Sequence, residues 1–277
     1  MLSDSDRQHL DQGSLAFVLY ADDTLLIGSS SERLQRLLRA VAVVGASYGL
    51  QLHADKFQLI QVRTTEAVHN HQDRPIAVSN SMTYLGTNIA SSGTVVRELG
   101  QKLGAVWSIF KPLQSLWKHA QVSRARKVQV FQAVVTSKLL YGLSSAWLNV
   151  AEQRRLNGFQ ARYLRAIFGI QPAYVSRVSN QRVLERARQQ PYSQQLLKQQ
   201  LLLFGKIARA PRTDSLRKLT VCHLSLRPAA STYVRRVSRP RSEWAAKLRE
   251  HALRIASDAV IAHPAKWRAA INAYFKI

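Results

Sequence analysis

Three observations predict an α+β fold, a small mixed front followed by a predominantly α-helical remainder. Two short apolar runs flank a tight acidic turn between Leu15 and Ile27, which reads as a β-hairpin. Apolar residues then recur at helical period through most of the chain beyond residue 94. The charge changes over the same regions. Residues 1–100 hold 8 Lys+Arg and 10 Asp+Glu, a net of −2, whereas residues 101–277 hold 32 and 6, a net of +26. The expected organisation is a front unit over 1–93, a helical region over 94–210, and a basic linker with C-terminal helices over 211–277.

The elements follow in order. Leu15–Tyr20 is a continuous apolar run, the mark of a buried strand, and Thr24–Ile27 resumes it after Ala21-Asp22. Ser29 and Glu32 fit a capping box for a helix carrying Leu34, Leu37, Leu38, Val41 and Val44 on one side and Arg33, Arg36 and Arg39 on the other. Gly49 ends it. Phe57–Val62, Pro75–Val78 and Met82–Leu85 are strand candidates. Helices are expected over Val95–Leu116, Arg124–Leu140, Glu152–Phe168, Arg182–Arg188, Pro191–Ala210, Trp244–Ile255 and Ala265–Phe275, with Pro191 as a first helical residue. Pro172, Pro211, Pro228 and Pro240 mark the breaks.

Composition narrows the function. The chain of 277 residues is 46% hydrophobic and 20% charged, a globular composition that excludes wholesale disorder. One cysteine, Cys222, excludes an internal disulfide and a Cys-rich zinc site. The eight histidines are scattered; the His69/His71 pair and Cys222-His223 lack further ligands nearby in sequence. No apolar run approaches the roughly 20 residues of a membrane helix, and the polar, acidic start is not a secretory signal. An intracellular protein, nuclear or cytoplasmic, is expected. A formal net charge of +24 favours a polyanionic partner.

The chemistry concentrates in Tyr20-Ala21-Asp22-Asp23. Adjacent carboxylates repel, and each raises the other's pKa unless a cation lies beside them. A divalent metal resolves that conflict, and Mg2+ takes hard carboxylate oxygens together with substrate phosphates. Asp-Asp is also an ordinary turn pair. The apolar flanks separate the two readings, since they place these acids between strands expected to be buried.

Phe17-Val-Leu-Tyr-Ala-Asp-Asp-Thr-Leu-Leu-Ile27 resembles motif C of reverse transcriptases, closest to the form in non-LTR (LINE-like) retrotransposons. Gly49-Leu-Gln-Leu-His-Ala-Asp-Lys56 resembles motif D, with Lys56 at the lysine position. Tyr84-Leu85-Gly86 resembles motif E, the primer grip. Leu202–Arg209 and Arg239–Trp244 resemble later segments of the same elements, with Lys206 where their histidine stands. The resemblance implies half a palm, made of hairpin, helix and short strands, then a helical thumb and a basic extension. It implies an RNA-directed DNA polymerase using Mg2+ or Mn2+. Asp22 and Asp23 would be catalytic metal ligands, Tyr20 would lie near the primer terminus, and Tyr84, Leu85 and Gly86 would position the primer. Lys56 would protonate the leaving pyrophosphate, or it is a solvated loop lysine beside Asp55.

The family's further metal-binding Asp belongs to a strand well upstream of motif C, and only 21 residues precede Asp22. Asp4, Asp6 and Asp11 lie there without a strand-forming run. The chain is therefore expected to be a C-terminal part of such an enzyme, inactive alone and holding metal weakly, with an upstream polymerase fragment as a possible partner. The alternative is a non-enzymatic nucleic-acid-binding protein or a relic derived from a retrotransposon.

The helical part supplies the candidate nucleic-acid surface for RNA template, DNA primer or their hybrid. Arg124, Arg126, Lys127, Arg154, Arg155, Arg162 and Arg165 are its candidates, with Arg182, Arg186, Arg188, Arg235, Arg236, Arg239 and Arg241 adding charge. Trp107, Phe110, Trp117, Tyr141 and Trp147 are either base-stacking groups or helical core, the core reading being preferred. Arg162 and Arg165 share a face with Phe159, so stems lying over core are their alternative.

Overall fold

The chain divides at Glu98/Leu99 into two units in a computed structural model, which describes residues 3–11, 15–93, 95–119, 121–222, 225–229 and 243–276. The fold is α+β, with two small antiparallel sheets in the first unit and helices through the second. Arg235, Arg236, Arg239, Arg241 and His223 lie outside the described residues.

In the first unit, helix α1 (Asp4–Asp11) precedes strands β1 (Leu15–Tyr20) and β2 (Asp23–Gly28). These pair antiparallel with Tyr20 opposite Asp23, leaving Ala21-Asp22 as the turn. Ala21 takes φ 51 there, an uncommon conformation for a residue with a Cβ. Helix α2 (Ser31–Ser47) follows. Its N-cap is Ser30, one residue later than the capping box placed it, and Ser30 Oγ accepts from Arg33 N. Glu32 is thereby too early to reach back and instead pairs with Arg36 at 2.7 Å. At the other end, Leu50 N donates to Gly45 O and Gly49 N to Ala46 O, with Gly49 at φ 76. That is a Schellman termination, which favours glycine for its left-handed residue.

Two expected strands are absent among the described residues. Phe57–Val62 and Pro75–Val78 give single bridges, Leu59 to Val78 and His69 to Pro75. Alternation alone does not make a ladder when the partner is an irregular, proline-containing segment. The third candidate forms β3 (Ser81–Tyr84), paired with β4 (Thr87–Ala90), which sequence reading did not separate out. Leu85 and Gly86 join them with φ 48 and 72. Positive φ at both central residues is the pattern of a tight type I′ hairpin turn.

The buried apolar residues of this unit, among those described, are Leu37, Leu38 and Val68. The hairpin overturns the expectation of a buried strand. Phe17, Val18, Leu19, Tyr20 and Ile27 are 45–63% exposed. A two-stranded ribbon has two free faces, and α2 packs against only part of it. Val44 belongs to the sequence-derived apolar stripe and is also exposed.

Helix α3 (Val96–His119) follows. Next come α4 (Arg124–Val130), a π-helical turn over Phe131–Thr136 and α5 (Ser137–Leu140), so the expected helix at 124–140 is one path with a widened middle. The remaining helices are α6 (Val150–Phe168), α7 (Ala173–Ser176), α8 (Asn180–Ala187), α9 (Tyr192–Ala208), α10 (Ser215–Thr220), α11 (Trp244–Ile255), α12 (Asp258–Ile261) and α13 (Pro264–Tyr274).

One part of the core gathers around Tyr163, whose ring lies 4.3 Å from Phe110 and 4.2 Å from Phe159. Phe110 also meets Phe131 and Trp117 edge-on. Another part joins α9, α11 and α13 through Leu201, Phe204, Leu248, Ala252, Trp267 and Ile271. Pro191 is the N-cap of α9 rather than its first helical residue and offers no side-chain cap. Helix α6 supplies the missing acceptors. Gln160 Oε1 accepts from Tyr192 N at 2.8 Å and Asn157 Oδ1 from Ser193 N at 2.9 Å.

Gly205 of α9 lies against Trp267. A Cβ there would stand 2.2 Å from the indole Nε1, which itself donates to Leu201 O at 3.1 Å. Gly104 and Gly158 are helical too, but open space surrounds their Cβ positions. Gly205→Ala should therefore destabilise by about 1–3 kcal/mol through overpacking. Gly104→Ala and Gly158→Ala should each stabilise by roughly 0.5–1 kcal/mol through backbone entropy. Denaturant unfolding of the three variants checks the opposite signs.

Candidate catalytic hairpin and nucleic-acid surface

Asp22 occupies the hairpin turn and Asp23 begins β2, both exposed. Consecutive Cα atoms are ~3.8 Å apart, so the two carboxylates share one tip. Tyr20 faces Asp23 across the ladder and is 63% exposed. Tyr84 belongs to the other hairpin, and its hydroxyl donates to Val18 O at 3.4 Å. The structure thus brings the Tyr84-Leu85-Gly86 turn to the hairpin that carries the acids. Gln58 assists from the intervening loop, its Oε1 accepting from Thr83 N at 2.9 Å. Lys56 is exposed on a single 3-10 turn (Ala54–Lys56), and no contact joins it to Asp22 or Asp23 among the described residues.

Asp6 is one of three upstream acids that sequence reading left without a role. Ser3 Oγ accepts from the Asp6 N–H and the Asp6 carboxylate accepts from the Ser3 N–H, each at 3.1 Å, closing the first turn of α1 as a capping box, and Ser3 Oγ also donates to the carboxylate at 2.8 Å. Arg36 then grips the carboxylate in bidentate fashion, at 2.8 and 2.7 Å. The guanidinium and the Ser3 hydrogen bonds hold the Asp6 carboxyl well below the usual carboxylate range. The Ser3-x-x-Asp6 spacing was the available signal for this helix.

Asp6 is consequently committed to Arg36. Among the described residues, no three His, Cys, Asp or Glu side chains converge on one point. Asp22 and Asp23 are the described residues that would hold a divalent metal at the hairpin tip, with substrate phosphates supplying further oxygens.

In the second unit, Arg124 and Arg126 stand exposed in the first turn of α4, behind an N-cap at Ser123. Cations at a helix N-terminus oppose the macrodipole, and an anion there relieves the conflict. Lys127 is half-buried and donates to Trp117 O at 3.0 Å. Arg154, Arg155 and Arg162 are exposed on α6. Arg162 lies over the Trp107 ring at 5.8 Å.

Arg165 corrects the candidate list. It is 7% exposed and donates to Gln171 O, Val178 O and Asn180 Oδ1 at 3.2, 2.6 and 3.0 Å. Its guanidinium fastens the α6–α8 connection and is closed to a phosphate. The aromatics divide likewise. Phe110 and Trp117 are core, and Trp147 packs half-buried on His251. Trp107 and Tyr141 remain 44% and 57% exposed. Lys102, absent from the sequence candidates, lies over the Tyr141 ring at 5.5 Å. Only the fold brings that pair together.

Residues 1–89 match the family model described as Reverse transcriptase (RNA-dependent DNA polymerase). No curated protein and no solved structure matches the chain. The matched stretch contains the first hairpin, α2, β3 and β4 as far as Ile89. Among the described residues, no helix is long and apolar enough to cross a membrane.

Arg165 and Arg162 should differ in the cost of replacement. Arg165→Met removes hydrogen bonds from a charged, buried donor and should cost about 3 kcal/mol of stability. Arg162→Ala loses one exposed cation–π contact, about 0.5–1 kcal/mol. Thermal unfolding of the two variants checks the contrast.

Proposed function

We propose that the chain is the C-terminal part of a non-LTR retrotransposon reverse transcriptase. The observation that carries this reading is the Tyr20-Ala21-Asp22-Asp23 hairpin, lying inside the matched residues 1–89 with Tyr84 hydrogen-bonded to its strand. In this reading Asp22 and Asp23 belong to the centre for RNA-templated addition of deoxynucleotides to a DNA 3′ end. Tyr20 lies toward the primer terminus, and Tyr84, Leu85 and Gly86 steady the primer. Residues 94–210 act as the thumb, and residues 211–277 extend it. The fingers and the remaining metal-binding carboxylate come from an upstream polymerase fragment.

A second reading keeps the nucleic-acid surface and dispenses with catalysis. The observation favouring it is that no third acid, His or Cys joins Asp22 and Asp23 among the described residues. Both readings assign the basic second unit to template–primer backbone phosphates, through Arg124, Arg126, Arg154, Arg155 and Arg162.

Primer extension on an RNA template with Mg2+ or Mn2+ separates the two. The full chain should be inert alone. Activity gained on adding an upstream palm-and-fingers fragment, and lost again with Asp22→Ala, supports the polymerase reading. Continued inertness leaves the binding protein. Extension by the chain alone, sensitive to Asp22→Ala, would show that two carboxylates suffice.

Binding to a labelled RNA–DNA hybrid should fall steeply with salt, because each neutralised phosphate releases counterion. The slope of log K against log salt should be roughly −0.9 per contact on a duplex. Replacing Arg124, Arg126 and Arg154 together with Ala should flatten it by about 2–3 and leave stability nearly unchanged. A fluorescence titration of the full chain across a salt series measures it, and a flat response in the parent chain would defeat this assignment.

A further inference from the structure

A cleft of about 770 Å3 lies between α9 and α13, away from the α4 and α6 residues assigned above. On α9, Leu202, Lys206 and Arg209 follow one another at helical spacing along its side. Ala265, Arg268 and Asn272 do the same on α13. The floor is apolar and rigid, since Trp267 is buried, hydrogen-bonded to Leu201 O and clasped against Gly205.

Three cations line this cleft and no acid does. Arg209 is held in place by Ile261 O at 2.9 Å. Burial and the neighbouring Arg268 charge both weaken its hold on its proton. Nearby carboxylates are engaged elsewhere: Asp258 with Arg249, Glu250 with Lys247 and Arg254, and Asp214 in capping α10. Like charges gathered beside an apolar wall leave an electrostatic deficit that an anion fills. The volume falls within the range of small-ligand sites, roughly 300–1,000 Å3.

We propose that this cleft binds a nucleotide, either free or as one unit of a single strand. Lys206, Arg209 and Arg268 take its phosphates, and the apolar wall with Asn272 takes its base. A phosphate satisfies the cations, a flat base covers Leu202 and Ala269, and the Asn272 amide both donates and accepts at a base edge. The site stands independently of the hybrid-binding surface and of the hairpin acids.

Calorimetric titration of the full chain in EDTA tests it, with ADP, adenosine, inorganic pyrophosphate and an unphosphorylated single-stranded pentadeoxynucleotide. EDTA removes any metal-dependent nucleotide binding at Asp22 and Asp23. ADP should bind more tightly than either adenosine or pyrophosphate. Lys206→Gln with Arg268→Gln, both at exposed positions, should weaken ADP on the order of tenfold or more. Ala269→Trp should block it by filling the cleft, and Arg124→Ala with Arg126→Ala should leave it unchanged. A pentanucleotide that binds more tightly than ADP, and is weakened by the Lys206 and Arg268 replacements, assigns the strand; tighter binding of ADP assigns the free nucleotide. No ADP binding, ADP binding untouched by the Lys206 and Arg268 replacements, or pyrophosphate binding as tightly as ADP would each overturn the proposal. Loss of hybrid binding in the Arg124/Arg126 variant bears only on the other surface.

Discussion

Forty lysines and arginines share sixteen carboxylates in this chain, so ion pairing alone cannot satisfy the cations. Beyond residue 100 the imbalance is steeper, with 32 against 6. Several of those six are already committed to the fold. Glu152 closes the N-terminal box of α6 with Asn149, and Asp214 caps α10. A cation in this unit must therefore point into water, find a carbonyl, lie on an aromatic ring or wait for an external anion. The structure shows the first three. Arg165 and Arg209 take backbone carbonyls, Arg162 and Lys102 lie on rings, and Arg124 and Arg154 stand in solvent. Burying a guanidinium against carbonyls is tolerable because its hydrogen bonds are charge-assisted. Of these cations, Arg165 is closed to an external anion, and charge counting alone cannot reveal that.

The first unit faces a different constraint. Its near-neutral charge lets it pair acids with bases, as Asp6 with Arg36 and Asp73 with Arg39. It has little apolar surface to bury, and its described apolar core is three residues. Hydrogen bonds of defined geometry take over. Ser3 and Asp6 close α1, Ser30 opens α2, Gly49 ends it, and Tyr84 ties the two hairpins together. The exposed Phe17, Leu19 and Tyr20 show the same shortage from the other side. Strands whose composition suits a sheet interior are here covered on only part of their surface.

Much of this was legible from residue order. The hairpin at 15–28 followed from two apolar runs about Ala21-Asp22, and α11 from period-3.6 spacing. What escaped depended on partners distant in sequence. The N-terminus of α9 is satisfied by Gln160 and Asn157, some 32 and 36 residues away, so Pro191 carried no sign of being a cap. Arg165 and Arg162 have the same composition and nearly the same helical face, yet one is buried and one exposed, because the α7–α8 connection folds over only one. The exposure of β1 was illegible for a different reason. An apolar run reports what a strand can be packed against, and whether packing occurs depends on neighbours outside the run. The strands at 57–62 and 75–78 failed likewise, since a ladder needs two regular partners.

The same distinction separates the kinds of evidence for function. The acids of the hairpin are identified by local order, the carboxylates being adjacent in sequence and placed at a tip by the register of one ladder. A catalytic centre also needs groups that only tertiary structure can assemble, and one of the upstream acids, Asp6, is held by Arg36. The cations of the second unit present the converse. Individually they are unremarkable surface residues, and no spacing singles out Lys206, Arg209 and Arg268. Two helix faces of equal period bring them to one cleft, where the lack of a carboxylate becomes a property of a place rather than of a composition. Electrostatic energy depends on distance and local screening, so the same excess charge is inexpensive when spread through solvent and selective when converged on an apolar wall.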